Sequence, residues 1–268
     1  MLAIERRNLI LEKLQEDKKV VVSELSHAYE VSEETIRRDL EKLEKDGFAI
    51  KTYGGAVINE NNNIDLPFVV RKNTNVIGKQ KIAELIAAMI HDGDQIMLDA
   101  SSTAVFVAKN IKTKKNITVI TNSIEILLEL SDVSGWKVLC TGGTMKEGSL
   151  ALLGHQTEKM LSSFHVDKAI VSCKGIDITK GVTDSSESFA QTKKMMLNCA
   201  FKKILAIDSS KFDRIAFTQI GELTDLTMVV TDKMPDEKWM KFFDSTGVTC
   251  IYPEKQWTVE GAGADRRK

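Results

Sequence analysis

Residues 22–47 read VSELSHAYEVSEETIRRDLEKLEKDG. Ser32 stands where a helix N-cap is wanted, and Ile36, Leu40 and Leu43 then recur on one helical face. Gly47 ends the run, while Thr35, Arg37 and Arg38 fall off the apolar face. Val31-Ser32 breaks this helix from an earlier segment, ELSHAYE, which Ser23 is placed to cap. Further back, Ile4, Leu9, Ile10, Leu11 and Leu14 roughly follow helical spacing. On the other side, FAIKTYGGAVI gives two strand-like runs around Gly54-Gly55, which reads as a hairpin. Three short helices and a hairpin predict a winged helix-turn-helix over residues 1–58.

Ser32, Thr35, Arg37 and Arg38 bring hydroxyl and cationic groups to the start of the third helix. Such groups reach phosphates and base edges when a helix enters the major groove. An amphipathic helix with a solvated charged face fits the same pattern, and Glu33, Glu34, Glu41 and Glu44 fit that alternative.

The stretch NENNNIDLPF is polar and without period, so residues 59–73 read as a linker. Beyond it the apolar runs QIMLDA, ITVIT, WKVLCT, KAIVSC, KILAID and LTMVVT alternate with amphipathic segments such as KQKIAELIAAMI and AQTKKMMLNCAFKK. Strands alternating with helices predict a parallel sheet covered by helices, an α/β domain over residues 74–255 with a loose tail at 256–268. Ligands of such sheets bind at the carboxyl ends of the strands. There the sequence places Asp99-Ala100-Ser101-Ser102-Thr103, Asn122, Gly142-Gly143, Lys174 and Asp208-Ser209-Ser210-Lys211.

Ser101, Ser102 and Thr103, leading from a strand into a helix, can offer hydroxyls and backbone N–H groups to a phosphate at the positive end of the helix. Taken alone they read first as an ordinary helix cap, but Lys211 at a second strand end supplies a cation and shifts the balance towards phosphate. Asn122 reads either as a ligand contact or as a side chain that fixes its loop, and Glu187 either as a ligand contact or as a first-turn residue of a helix capped by Ser185 or Ser186.

The run from Val22 to Gly47, the motif Glu34-Thr35-Ile36-Arg37-Arg38-Asp39-Leu40 and the following TYGGAV resemble the DeoR family of sugar-catabolism regulators. The resemblance extends over nearly the whole chain through DxSST, the Thr-Asn pair, the Gly142-Gly143 pair and DSSK. It implies an N-terminal winged helix-turn-helix and a C-terminal α/β domain similar to ribose-5-phosphate isomerase-like folds. It further implies DNA contacts from Ser32, Thr35, Arg37, Arg38, Tyr53 and Gly54, with Asp39 structural, paired to a cation of its own domain. Ser101, Ser102, Thr103 and Lys211 would hold phosphate, with Asp99, Asn122, Lys174 and Glu187 nearer the sugar and Gly142 and Gly143 also in the ligand site. The partners implied are double-stranded operator DNA, a phosphorylated sugar effector and further copies of the chain, as a dimer or tetramer. The function implied is that of a repressor of a sugar-catabolism operon. LDASST and SCKGID resemble the fucose and rhamnose branch, which implies a 6-deoxyketohexose 1-phosphate. One departure is the wing, where Lys51 and Thr52 stand in place of the arginine common before the Gly-Gly pair.

The alternative is a sugar-phosphate isomerase-like enzyme with an appended DNA-binding domain. Isomerisation needs a general base over the carbon that loses its proton. Lys174-Gly175-Ile176-Asp177 replaces the Asp-Gly-Ala-Asp run of such isomerases, and GVTDSSES lacks their polyglycine loop and lysine. A binding function without catalysis is therefore expected.

Composition is compatible with this reading. The chain has 268 residues, 43% apolar and 28% charged, with a net charge of −1, so a basic DNA-binding surface must be local. No apolar run reaches the ~18 residues of a membrane span, and the charged N-terminus does not resemble a signal peptide. Cys140, Cys173, Cys199 and Cys250 are scattered in apolar runs, which predicts buried, reduced thiols in a cytoplasmic protein. No cofactor, metal site or membrane partner is expected.

Overall fold

The computed structural model describes residues 1–59 and 65–254. The N-terminal unit comprises α1 (Ala3–Asp17), β1 (Lys19–Val21), α2 (Val22–Tyr29), α3 (Glu33–Lys45), β2 (Ala49–Thr52) and β3 (Gly55–Ile58). Ile10, Leu11 and Leu14 of α1 bury against Leu25, Ile36, Leu40 and Leu43, which unites the three helices in one core. Ser32 caps α3, its Oγ accepting from the Thr35 amide at 3.2 Å. Gly47 adopts φ +82, and the Phe48 amide then bonds the Leu43 carbonyl at 2.8 Å, stopping the helix.

Two local expectations change. Val22, not Ser23, begins α2, because β1 pairs with β3 and the Val22 amide donates to the Gly54 carbonyl at 2.8 Å. The hairpin turns at Tyr53-Gly54, with Gly54 at φ +90, and Gly55 already lies in β3. A Cβ on Gly55 would meet the Val20 carbonyl oxygen at 2.0 Å, so this glycine lets β1 approach the wing.

The larger unit adds α4 (Phe68–Asn73), α5 (Val76–Met89), β4 (Gln95–Leu98), α6 (Ser102–Asn110), β5 (Thr118–Thr121), α7 (Ile124–Glu129), β6 (Lys137–Cys140), β7 (Thr144–Lys146), β8 (Ala151–Leu153) and α8 (His155–Leu161). It continues with β9 (Val166–Val171), β10 (Gly175–Asp177), β11 (Gly181–Asp184), α9 (Glu187–Asn198), β12 (Ala200–Ala206), β13 (Thr218–Gly221), β14 (Met228–Val230), α10 (Glu237–Thr246) and β15 (Thr249–Ile251). Seven parallel strands run in the order β15-β14-β12-β9-β4-β5-β6. Two apolar cores, one on each face, cover the sheet with helices.

All six apolar runs singled out in the sequence are strands of this sheet. The seventh, β15, and the small antiparallel sheets β10-β11-β13 and β7-β8 carry weaker signals. AQTKKMMLNCAFKK is helical only to Asn198, because the chain joins β9 at once, with the Val166 amide on the Cys199 carbonyl at 2.9 Å. Cys173, Cys199 and Cys250 are buried, but Cys140 is exposed on the edge strand β6.

The expected linker is the main correction. Residues 60–64 lie outside the described residues, but 68–73 form α4, which packs on both units. The expected tail at 256–268 also lies outside the described residues. Among the described residues no helix is long and apolar enough to cross a membrane.

Asp39 ties the N-terminal unit together: Arg6 Nε donates to it at 2.5 Å in the buried α1–α3 contact, and Arg7 approaches at 3.4 Å. Removing one partner of a buried ion pair strands the other charge. Asp39→Ala is therefore expected to destabilise the N-terminal unit by about 3–5 kcal/mol. Exposed Arg38→Ala should change stability by no more than about 0.5 kcal/mol. Thermal melts read with limited proteolysis of residues 1–58 check the difference.

Candidate functional site

Two surfaces carry the chemistry. The first is the exposed side of α3. Arg37 pairs with Glu33 at 2.7 Å and Arg38 with Glu34 at 3.2 Å, each one helical turn away and solvent-exposed. Such pairs are worth a few tenths of a kcal/mol, so a phosphate can displace the glutamates. The Thr35 hydroxyl shares a hydrogen bond with Ser32 Oγ at 2.9 Å. Tyr53 is fully exposed at the wing tip, and Lys51 bonds Glu41 at 2.9 Å, fixing the wing to α3.

The second is a cavity of roughly 400 Å³ over the carboxyl ends of β4, β9 and β12. Ser101 Oγ caps α6 by accepting from the Ala104 amide at 3.1 Å. Ser102 and Thr103 face the cavity, their hydroxyls without a hydrogen-bond partner among the described residues. Seven cationic side chains line the cavity against four acidic ones: Lys18, Arg71, Lys79, Lys174, Lys193, Lys211 and Arg214 against Glu16, Asp65, Asp184 and Asp208. The balance favours an anionic guest.

The charges divide into two groups. Asp65 receives Lys146 at 2.8 Å and Lys174 at 3.2 Å, and Lys193 lies 2.5 Å from Asp184 and 3.5 Å from Asp99. By contrast, Arg71, Lys79 and Lys211 have no carboxylate within 4.0 Å among the described residues. The Lys79 ammonium gives two of its three hydrogens to the carbonyls of Arg71 and Thr74, leaving one for the cavity.

Burial pushes the Lys79 ammonium down to about 8, the charges of Lys211 and Arg71 adding to this against the pull of Asp208. Burial likewise takes Lys174 to about 8 although Asp65 opposes it. For Lys193 burial is outweighed by Asp184 and Asp99, and its pKa lies above the ordinary lysine value. Burial alone would raise Asp65 and Asp208, but Lys174 with the bonds from Lys146 and Ser185 holds the first well below the usual range, and Lys211 with Ser210 lowers the second.

Of the expected ligand residues, Ser101, Ser102, Thr103, Lys174 and Lys211 come together here. Asp99 stands behind them, accepting from the Ser101 amide at 3.1 Å and the Ser172 amide at 3.0 Å and so joining the β4–α6 turn to β9. Asn122, Gly142, Gly143 and Glu187 do not line the cavity. Asn122 fixes its loop through the Leu152 carbonyl at 2.9 Å, with its buried Oδ1 unpartnered, and the Gly142 carbonyl accepts from Thr157 at 2.7 Å. Gly143 is close-packed instead, since a Cβ there would meet the Thr157 hydroxyl at 2.2 Å. Glu187 opens α9 in its first turn.

Asp184, which the sequence offered beside Glu187, does line the cavity, whereas Asp65, Arg71, Lys79 and Lys193 escaped the sequence reading. Two of them left a legible trace. Lys79 keeps the helical register of Ile82, Ala83 and Ile86, and Lys193 that of Phe189, Ala190, Met196 and Leu197, all buried. A cation on the apolar stripe of an amphipathic helix is the signal.

With this geometry in place, the chain can be set beside known proteins. Residues 6–62 match the DeoR-like helix-turn-helix domain and residues 74–233 the DeoR C-terminal sensor domain. The chain belongs to the DeoR family of helix-turn-helix transcriptional regulators. Among its relatives, the uncharacterized HTH-type transcriptional regulator YulB of Bacillus subtilis is 41% identical, over 92% of this chain and 96% of that one. The L-fucose operon activator of Haemophilus influenzae is 31% identical, over 92% of this chain and 98% of that one. Ribose 5-phosphate isomerase A of Methanocaldococcus jannaschii overlaps 50% of this chain and 53% of its own, at 16% identity and a TM-score of 0.37, too shallow to bear on the site.

The two depressed lysines give opposite pH signs for binding and for folding. An anion stabilises charged Lys79 and Lys174, so affinity for inorganic phosphate should fall as pH rises from 7 to 9 and they lose protons. Phosphate itself, with a second pKa of about 6, is already dianionic there. Folding runs the other way: between the folded values near 8 and the ordinary lysine value, the unfolded chain binds more protons, so these groups make stability rise with pH. Calorimetric titration and denaturant melts at matched ionic strength check both signs; affinity independent of pH would remove the two lysines from the anion site.

Proposed function

We propose that this regulator binds operator DNA through α3 and is controlled by a phosphorylated sugar held in the cavity of the sensor domain. The observation that carries the reading is the meeting in one cavity of the α6 N-terminus, with its open Ser102 and Thr103 hydroxyls, Lys79 of α5 and Lys211 after β12, neither lysine having a carboxylate within 4.0 Å among the described residues. A helix start, two hydroxyls and two ammonium groups suit a phosphate dianion, and a neutral sugar would leave the cations unmatched. The paired groups Asp65–Lys174 and Asp184–Lys193 offer acceptors and donors suited to sugar hydroxyls.

For DNA, Thr35, Arg37 and Arg38 read bases and phosphates, Ser32 caps their helix, and Tyr53 and Gly54 bring the wing to the backbone. The protein acts as an even-numbered assembly, dimer or tetramer, because one winged helix covers few bases and linked half-sites raise specificity. The largely exposed Phe201 and Phe217 of the sensor domain support an interface there. Repression of a sugar-catabolism operon is the expected sign. A 6-deoxyketohexose 1-phosphate is the effector we favour, in line with LDASST, SCKGID and the fucose activator among the relatives.

Binding rather than isomerisation is supported by the state of the carboxylates. Asp177 accepts from the Thr179 amide at 2.9 Å, its hydroxyl at 2.7 Å and the Lys180 amide at 3.0 Å, and lies off the cavity. Asp65, Asp184 and Asp208 are each bonded to cations or hydroxyls. A carboxylate stabilised in this way is a weak proton acceptor.

Two outcomes are expected. Arg37→Ala and Arg38→Ala should each cost about 1–3 kcal/mol of operator affinity with an unchanged melting curve. Unaltered affinity of both at matched salt would overturn the assignment of α3. Titration of the operator complex should show sugar phosphates altering DNA affinity where the parent sugars do not, with the response lost in Lys211→Ala and Ser102→Asp. An equal response to free sugar, or normal response of both variants, would overturn the phosphate-sensor reading.

A further inference from the structure

Arg71 lies in the sensor cavity but comes from the helix that joins the two units. Successive residues of a helix are turned by about 100°, so Phe68 and Val70 face opposite sides while Arg71 returns towards the side of Phe68. The packing follows that rule. Phe68 is buried in the core under the seven-stranded sheet, and Val70 in the core of the winged helix with Ile10, Leu11 and Leu14. The Arg71 guanidinium carbon sits 5.3 Å from the Phe68 ring centroid, and Nε donates to the Leu66 carbonyl at 3.1 Å.

One edge of the guanidinium is therefore anchored. Its two terminal nitrogens have no hydrogen-bond partner among the described residues, and the group faces the cavity. Burial also works against its charge. A planar fork, fixed at one end, desolvated and open at the other, is the arrangement that suits bidentate contact with a phosphate.

We propose that Arg71 is a ligand of the effector's phosphate, supplied by the connecting helix, and that through it an occupied cavity sets the position of the DNA-binding domain. The proposal rests on the phosphate-sensor reading above and adds the route from ligand to DNA. An effector alters DNA binding only by preferring one arrangement of the domains. Arg71 supplies that preference, because the helix that presents it is embedded in the winged-helix core by Val70 and bonded to α1 through Asn73 and Glu12 at 2.8 Å. Gln15 and Glu16 at the end of α1 reach the cavity as well, so the same helix end registers the shift. Lys79, through the Arg71 and Thr74 carbonyls, ties the far end of α4 to α5.

The test uses the full-length protein with inorganic phosphate and fructose 1-phosphate, a ketose 1-phosphate, as probes in calorimetry, and operator binding as the second readout. Arg71→Gln is expected to bind both probes about ten- to a hundredfold more weakly. Arg71→Lys, which keeps the charge and loses the fork, should fall between. Lys72→Gln, in the same helix but bonded to Glu125 away from the cavity, should bind like wild type. At probe concentrations that saturate each protein, operator affinity should move less in Arg71→Gln and Arg71→Lys than in wild type, a deficit that weak binding alone does not produce. Wild-type affinity and wild-type DNA response in Arg71→Lys, with Arg71→Gln either matching it or failing to fold, would overturn the role of Arg71 and leave the phosphate-sensor reading standing. If wild type binds neither probe while operator binding is intact, both readings fall together.

Discussion

Phe68 and Val70 are separated by one residue and belong to different hydrophobic cores. A helix makes this possible because positions two apart differ by about 200°. Moving the winged helix relative to the sheet must therefore withdraw one of two buried side chains, or turn α4 as a body. A flexible tether would let the DNA-binding head sample orientations freely, and ligand occupancy would have nothing to act on. With α4 in both cores, the arrangement of the two units is a property of packing, and packing is bistable rather than continuously adjustable.

Charge is distributed with the same economy. Asp99, fully buried, accepts two backbone amides and faces Lys193, so it fixes the turn into α6 and one cation at once. Asp184 completes that pair, and Asp65 does the same for Lys174 and Lys146. These pairs fix groups in place without leaving a net field. The field comes from Arg71, Lys79 and Lys211, which line one cavity with no carboxylate within 4.0 Å among the described residues; burial first, and then the charges of Lys211 and Arg71, lower the Lys79 pKa. Like charges held together in a partly desolvated site destabilise the protein alone and attract a dianion, so affinity is obtained at the expense of stability.

The parts legible in the sequence were those where one local signal and one structural outcome coincide. Ser32 followed by Ile36, Leu40 and Leu43 could hardly be anything but a capped amphipathic helix, and the six apolar runs had too little periodicity to be anything but buried strands. Ser101-Ser102-Thr103 was legible as a cap, and the cap at the end of β4 also brings Ser102 and Thr103 to the cavity. What failed to show was any property created by the fold alone. Asp65 and Arg71 flank a proline at the end of a polar stretch, and the burial of α4 depends on two partners distant in sequence. Asn122, Gly142 and Glu187 sit at strand ends or helix starts as Ser102 and Lys211 do, but they do not line the cavity, and periodicity does not encode that difference.

Net charge remains to be reconciled with DNA binding. In a protein at −1 overall, Arg37 and Arg38 are each paired one turn away with glutamate, which lowers the unspecific attraction of α3 for a polyanion. Counterion release scales with the number of phosphates neutralised, so a head that neutralises few phosphates binds weakly and with a mild salt dependence. In the proposed DNA complex Glu33 and Glu34, only weakly paired to Arg37 and Arg38, would repel the backbone wherever the fit is poor. Low unspecific affinity is an advantage for selectivity only if the specific complex recovers strength elsewhere. In the even-numbered assembly proposed above, two heads at a set spacing would recover it, because the second head would bind at an effective concentration set by the assembly. That spacing in turn depends on how α4 seats each head on its sensor domain. The ion-paired arginines of α3 and the double burial of α4 thus bear on the same proposal: where a single head binds weakly, the geometry between heads, set by α4, governs DNA affinity.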